Sequence, residues 1–109
     1  MISAVFVSYR SATLTARAIA TFREEARRAG REAEAVVVVN SGDAAERDAL
    51  VPHADRVLFP PRNLGFAGGL NAGIAAARGG TLLLANPDLL FCEGSVAALT
   101  AAVEAGGPV

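Results

Sequence analysis

"AEAVVVVN", residues 33–40, is the stretch on which the fold turns. After Glu34 it carries no polar residue until Asn40, so it lacks the apolar–polar alternation of a strand with one wet face. Such a run is the pattern of a strand buried on both sides, as in a parallel sheet covered by helices. "ISAVFVS", residues 2–8, reads the same way one helix-length earlier. Between the two, Ser11 can cap a helix whose apolar stripe is Leu14, Ala18, Phe22, Ala26 and Ala29, and Gly30 is placed to stop it. Glu24, Glu25, Arg27, Arg28 and Arg31 fall largely off that stripe and read as a solvated face.

Downstream the alternation continues. "SGDAAERDAL" (41–50) gives a turn and a short helix, and "DRVLFP" (55–60) a third strand closed by Pro60 and Pro61. "RNLGFAGGLNAGIAAARG" (62–79) reads as a loop and then a helix, with Leu70, Ile74 and Ala77 on one side and Gly79-Gly80 ending it. "TLLLA" (81–85) is a fourth strand, and "EGSVAALTAAVEAG" (93–106) a last helix with Val96, Leu99 and Val103 inward. Strand and helix alternate about four times. The expected fold class is therefore α/β: a Rossmann-like parallel sheet of about four strands with helices on both faces and right-handed crossovers.

Composition narrows the function classes. A chain of 109 residues with 52% hydrophobic and 19% charged residues is one globular domain at most. A formal net charge of −1 gives no general attraction to nucleic acid or anionic lipid. All ten basic residues are arginine, scattered along the chain, which reads as compositional bias. Single Cys92 and single His53 exclude an internal disulfide and a Cys/His zinc site; Cys92 is expected to be a buried small hydrophobe. No apolar run approaches the roughly 18 residues of a membrane span, and "MISAVFVSYR" has no basic leader, so a cytoplasmic location is the expectation.

Open α/β sheets bind ligands beyond the carboxyl ends of their strands. Here those ends are "SYRS", "NSGD", "PPRNLGFAGG" and "NPD", all polar or glycine-rich. The turn after strand one has no glycine, against a dinucleotide fingerprint, and a chain without lysine has no Walker A loop. Nucleotidyltransferases and receiver domains that rely on a lysine fall for the same reason. Gly65, Gly68, Gly69 and Gly73 admit two readings: close approach of a ligand to the backbone, with Asn63 and Asn71 offering hydrogen bonds, or tight helix-on-sheet packing. "NPD" is either a simple turn or a stiffened strand end that aims Asp88 at a divalent cation.

Taken together, "VSYRS", "VVVVNSGD", "RNLGFAGGLNAGI" and "LLLANPD" resemble the N-terminal half of a family 2 glycosyltransferase of the rhamnosyltransferase-like kind, over nearly the whole chain. The resemblance implies a GT-A fold whose first half binds a nucleoside-diphosphate sugar, with strand one beside strand four. It implies that Ser8 and Tyr9 line the base and ribose pocket, that the segment containing Asn63, Gly65, Phe66, Gly68 and Asn71 borders nucleotide and sugar, and that Asn86 lies by the ribose. Asp88 would hold Mg2+ or Mn2+ on the diphosphate. The donor would be a UDP- or dTDP-sugar and the acceptor a carbohydrate or lipid-linked hydroxyl, with inversion at the anomeric carbon. Asn40 and Asp43 would also border the nucleotide. Two departures stand out. The acidic residue that usually precedes Asn40 and contacts the base is Val39 here, with Asp43 the nearest substitute. The family's catalytic base is expected beyond Val109, with the acceptor-binding half. The alternatives are a non-catalytic nucleotide-binding module and an α/β oligomerisation domain. A sheet edge left after strand four predicts a second copy or a completing chain.

Overall fold

The computed structural model describes residues 1–86, 91 and 93–105. Eight elements follow in order: β1 (Ile2–Ser8), α1 (Ala12–Arg28), β2 (Ala33–Val39), α2 (Ala44–Leu50), β3 (Arg56–Leu58), α3 (Gly65–Ala76), β4 (Thr81–Ala85) and α4 (Ser95–Glu104). The strands form one parallel sheet in the order β3-β2-β1-β4. The expected α/β architecture is present, with strand one beside strand four.

Alternate residues of β1 and β2 face opposite layers, as the two-residue period of a strand requires. Ile2, Ala4 and Phe6 with Ala35, Val37 and Val39 pack against Ala18, Ile19, Phe22 and Ala26 of α1, Leu50 of α2 and Val96 of α4. Phe6 meets Phe22 edge-on with centroids 6.4 Å apart, and Phe22 meets Phe91 at 5.5 Å. Such pairs add about 0.5–1.5 kcal/mol beyond their buried area.

The opposite face, carrying Val5, Val7, Val36 and Val38, is covered by α3, and the contact surface of that helix is glycine. A Cβ on Gly73 would lie 2.3 Å from Val5 Cγ1, and one on Gly69 would lie 3.0 Å from Val7 Cγ1 and 2.9 Å from Asn40 Nδ2. Gly69 and Gly73 are the buried residues of the helix. The helix therefore starts at Gly65, inside the glycine run rather than after it. Gly69 and Gly73 serve close packing of backbone on valine side chains, not ligand access.

Three details differ from the sequence expectations. The inner face of α1 is Thr15, Ala18, Ile19, Phe22, Glu25 and Ala26, whereas Leu14 is 44% exposed. Glu25 turns inward because its carboxylate accepts the Gly94 N–H at the start of α4. In α4, Val96 and Thr100 are buried and Val103 is exposed. In β4, Leu82 and Leu84 are exposed. They pair with Ser3 and Val5 and so share the α3 face, but α3 packs over β1 and β2. That strand is covered on one face, not two. Cys92 lies outside the described residues.

Candidate functional site

All strands being parallel, the turns after β1, β2 and β3 and the end of β4 gather at one edge of the sheet. Asn40, the residue after β2, organises that edge. It is 3% exposed. Its backbone N–H donates to Ser8 O at 2.8 Å, its Nδ2 to Gly65 O at 2.9 Å, and its Oδ1 accepts the Leu64 N–H at 3.3 Å. One side chain thus ties β2 to the loop entering α3. Asn63 tightens the same loop by accepting the Gly65 N–H on Oδ1 at 2.8 Å. Gly65 then takes a left-handed backbone, φ 74°, which side chains disfavour.

A cleft of about 220 Å³ opens between these turns, lined by Val7, Tyr9, Asn40, Asn63, Gly65 and Phe66. Tyr9 and Phe66 are half exposed at its mouth. Five of the residues singled out from sequence therefore meet in one hollow.

The others do not line it. Ser8 was expected in the base and ribose pocket, but its side chain is fully buried. Its hydroxyl donates to Glu46 at 2.6 Å and shares a hydrogen bond with Thr15 at 2.9 Å, so it supports the turn from beneath. Asp43 caps α2 by accepting the Ala45 N–H at 2.9 Å, and borders a separate open hollow of about 610 Å³ with Arg10 and Glu46. Asp43 thus does not line the cleft, and Val39, where the acid was expected, is fully buried. Gly68 lies close to Leu64, with 3.0 Å between a built Cβ and Leu64 Cβ. Asn71 is exposed farther along α3, and Asn86 is exposed immediately after β4. Asp88, the expected metal ligand, lies outside the described residues, as does Pro87.

Sequence reading missed Glu46. It is 6% exposed, yet each of its oxygens accepts two hydrogen bonds. Oε1 takes the Arg10 N–H at 2.9 Å and the Ser41 hydroxyl; Oε2 takes the Ser8 hydroxyl at 2.6 Å and the Ser11 N–H at 3.0 Å. Burial alone pushes this carboxyl up, but the Ser41 and Ser8 hydroxyls and the Ser11 and Arg10 amides outweigh it and hold it below the usual range. A signal did exist: Asp43 and Glu46 stand at the spacing of a capping box. That motif would send the glutamate back to its own helix end, whereas here it crosses to the β1–α1 turn.

The sequence model of glycosyl transferase family 2 matches residues 3–109. The chain belongs to that family. No curated protein matches it. Among solved structures it resembles TarS of S. aureus (residues 1–349), with a TM-score of 0.75 and 18% identity, covering 95% of this chain and 32% of that one. It also resembles a nucleotidyl transferase from Methanothermobacter thermautotroptrophicus, with a TM-score of 0.63 and 21% identity, covering 93% and 56%. Likeness at these identities establishes the fold alone. This family 2 chain spans about a third of the first protein and just over half of the second.

Among the described residues, no three His, Cys, Asp or Glu side chains are placed to hold a metal ion. Of the described carboxylates on the neighbouring turns, Asp43 is committed to its helix cap and Glu46 to four donors. Among the described residues no helix is long and apolar enough to cross a membrane.

Proposed function

We propose that this chain is the donor-binding part of an inverting, metal-dependent glycosyltransferase that takes a UDP- or dTDP-sugar and serves transfer to a carbohydrate or lipid-linked hydroxyl. The reading is supported chiefly by the cleft that gathers Tyr9, Asn40, Asn63, Gly65 and Phe66 from three strand-end turns. Aromatic faces at its mouth suit a nucleobase, which stacks on any π surface. Amide and backbone groups suit ribose hydroxyls. In the reaction, an acceptor hydroxyl attacks the anomeric carbon, the nucleoside diphosphate leaves from the opposite side, and a base takes the hydroxyl proton. Glu93 and Glu104 are poor candidates for that base, since each is already paired, Glu93 with Arg28 and Glu104 with Arg31; the family resemblance assigns the base to the acceptor-binding half.

A bound Mg2+ or Mn2+ would neutralise charge on the departing diphosphate, with Asp88 as the ligand that the family resemblance implies. The described lining of the cleft brings no carboxylate of its own, so the assignment rests on Asp88 and on the substrate's phosphates.

A thermal-shift series tests both parts. UDP- or dTDP-sugar at about a hundred times its Kd is expected to raise the melting temperature by roughly 10 °C, with a component that needs Mn2+ or Mg2+ and disappears in Asp88→Ala. No shift with either donor rejects the nucleotide reading. Equal shifts with and without metal reject the role of Asp88.

The non-catalytic reading, a nucleotide-binding module, predicts the same shifts. What separates them is sugar transfer once a base-bearing segment or chain is supplied. The exposed Leu82 and Leu84 on β4, which among the described residues pairs with β1 alone, support a further proposal of self-association. Light scattering showing only monomer at working concentrations would remove it.

A further inference from the structure

The geometry points to a positioning residue outside the cleft: Glu46 fixes the Tyr9–Arg10 turn in the shape that presents the Tyr9 ring to a nucleotide, a role that builds on the reading of the cleft given above. Among the described residues the Tyr9 side chain makes no hydrogen bond that would fix it. Tyr9 is 50% exposed, with the Arg10 guanidinium 5.4 Å from the ring centroid. Its position is set through the backbone on either side.

Glu46 grips both sides. Before Tyr9 it holds the Ser8 hydroxyl; after it, the Arg10 and Ser11 amides. Arg10 is the one non-glycine residue with a left-handed backbone among the described residues, φ 53°. Residues other than glycine adopt that conformation at a cost and keep it where surrounding contacts over-determine it. Here it directs two successive amides onto one carboxylate. Ser41 adds a fourth donor from the turn after β2, so a single side chain locks two of the strand-end turns together. A glutamine cannot reproduce this, because its NH2 group meets donors where the carboxylate offered lone pairs.

The chain supplies its own probe: Tyr9 is its only tyrosine and it has no tryptophan. Tyr9 fluorescence anisotropy and ring NMR signals therefore report the turn with no label. In Glu46→Gln the anisotropy is expected to fall and the ring signals to shift, and the Kd for UDP or dTDP to rise about tenfold. Glu34→Gln is the control, since Glu34 is an equally buried, hydrogen-bonded carboxylate at the opposite end of the sheet. It is expected to lower the melting temperature while leaving Tyr9 and the Kd unchanged. If Glu46→Gln does not fold, Ser8→Ala removes one of the four donors and is expected to shift Tyr9 in the same direction. Wild-type Tyr9 signals in whichever variant folds would overturn the assignment, as would an equal change in Glu34→Gln. Should neither UDP nor dTDP bind the unaltered chain, the nucleotide reading falls, and the Tyr9 signals still decide the role of Glu46.

Discussion

Gly73→Val is expected to lower the unfolding free energy by about 3 kcal/mol or more, roughly 15 °C in melting temperature for a domain of this size. Helix propensity alone predicts the opposite, since valine is favoured over glycine in a helix interior, by less than the roughly 1 kcal/mol that separates alanine from glycine. The contact decides. A Cβ at residue 73 would stand 2.3 Å from Val5 Cγ1 and 3.4 Å from Val38 Cγ2. Both valines are fully buried and stiff at χ1, so neither can swing aside. Gly80→Ala is the matched control, because nothing lies within 4 Å of its added carbon; it is expected to stay within about 0.5 kcal/mol of the parent. Urea titration followed by circular dichroism reads both. A Gly73→Val chain as stable as the parent would mean that α3 does not rest on β1 in this way.

Glu34→Ala is the second large effect, about 3 kcal/mol of lost stability. Glu34 is 6% exposed. It accepts the Ser3 hydroxyl at 2.6 Å and the Arg78 N–H at 2.7 Å, with Arg56 Nε at 3.5 Å, while Ser3 in turn accepts the Gly79 N–H at 2.7 Å. Removing the carboxylate leaves a buried hydroxyl and an amide at the α3–β4 junction without their acceptor. Burial pushes this carboxyl up, but Ser3, the Arg78 amide and Arg56 outweigh it, and the net shift is downward. The sign for stability follows. A group with a depressed folded pKa contributes fully above its unfolded value, about 4.3, and that contribution fades as pH drops through the folded value. The parent is thus expected to lose stability below about pH 4.5 more steeply than Glu34→Gln, in the same denaturant titrations run at several pH values. Glu24, held down to about 2 by Arg27 and Arg28, titrates in the same window. It is solvent-facing, so salt should weaken its share and spare that of Glu34.

What was legible in the sequence was whatever local pattern controls. The uninterrupted apolar runs of β1 and β2 announced a parallel, covered sheet, and Asn40, Asn63 and Gly65 announced the turns that shape the cleft. What was not legible depends on which element lands against which. Thr15 and Glu25 are buried and Leu14 is not, because α1 meets α2 and the start of α4 as well as the sheet. The glycines of α3 could serve a ligand or a packing contact until Val5 and Val7 were found beneath them. Glu34 and Glu46 are charges of the kind that reads as surface; each is buried because backbone amides from distant segments converge on it. TLLLA in β4 looks as apolar as the central strands, but position in the strand order, not composition, leaves two of its leucines uncovered.

The seat of α3 on the sheet carries a last consequence. Peptide backbone lies directly on isopropyl groups, with no spacer whose length could be tuned. Exchanging residues at that seat cannot raise or lower one wall of the hollow by a fraction of an ångström; it can only break the seat. Variation in the shape of the hollow is therefore channelled to Tyr9 and Phe66, which stand half exposed and can be swapped without disturbing the foundation.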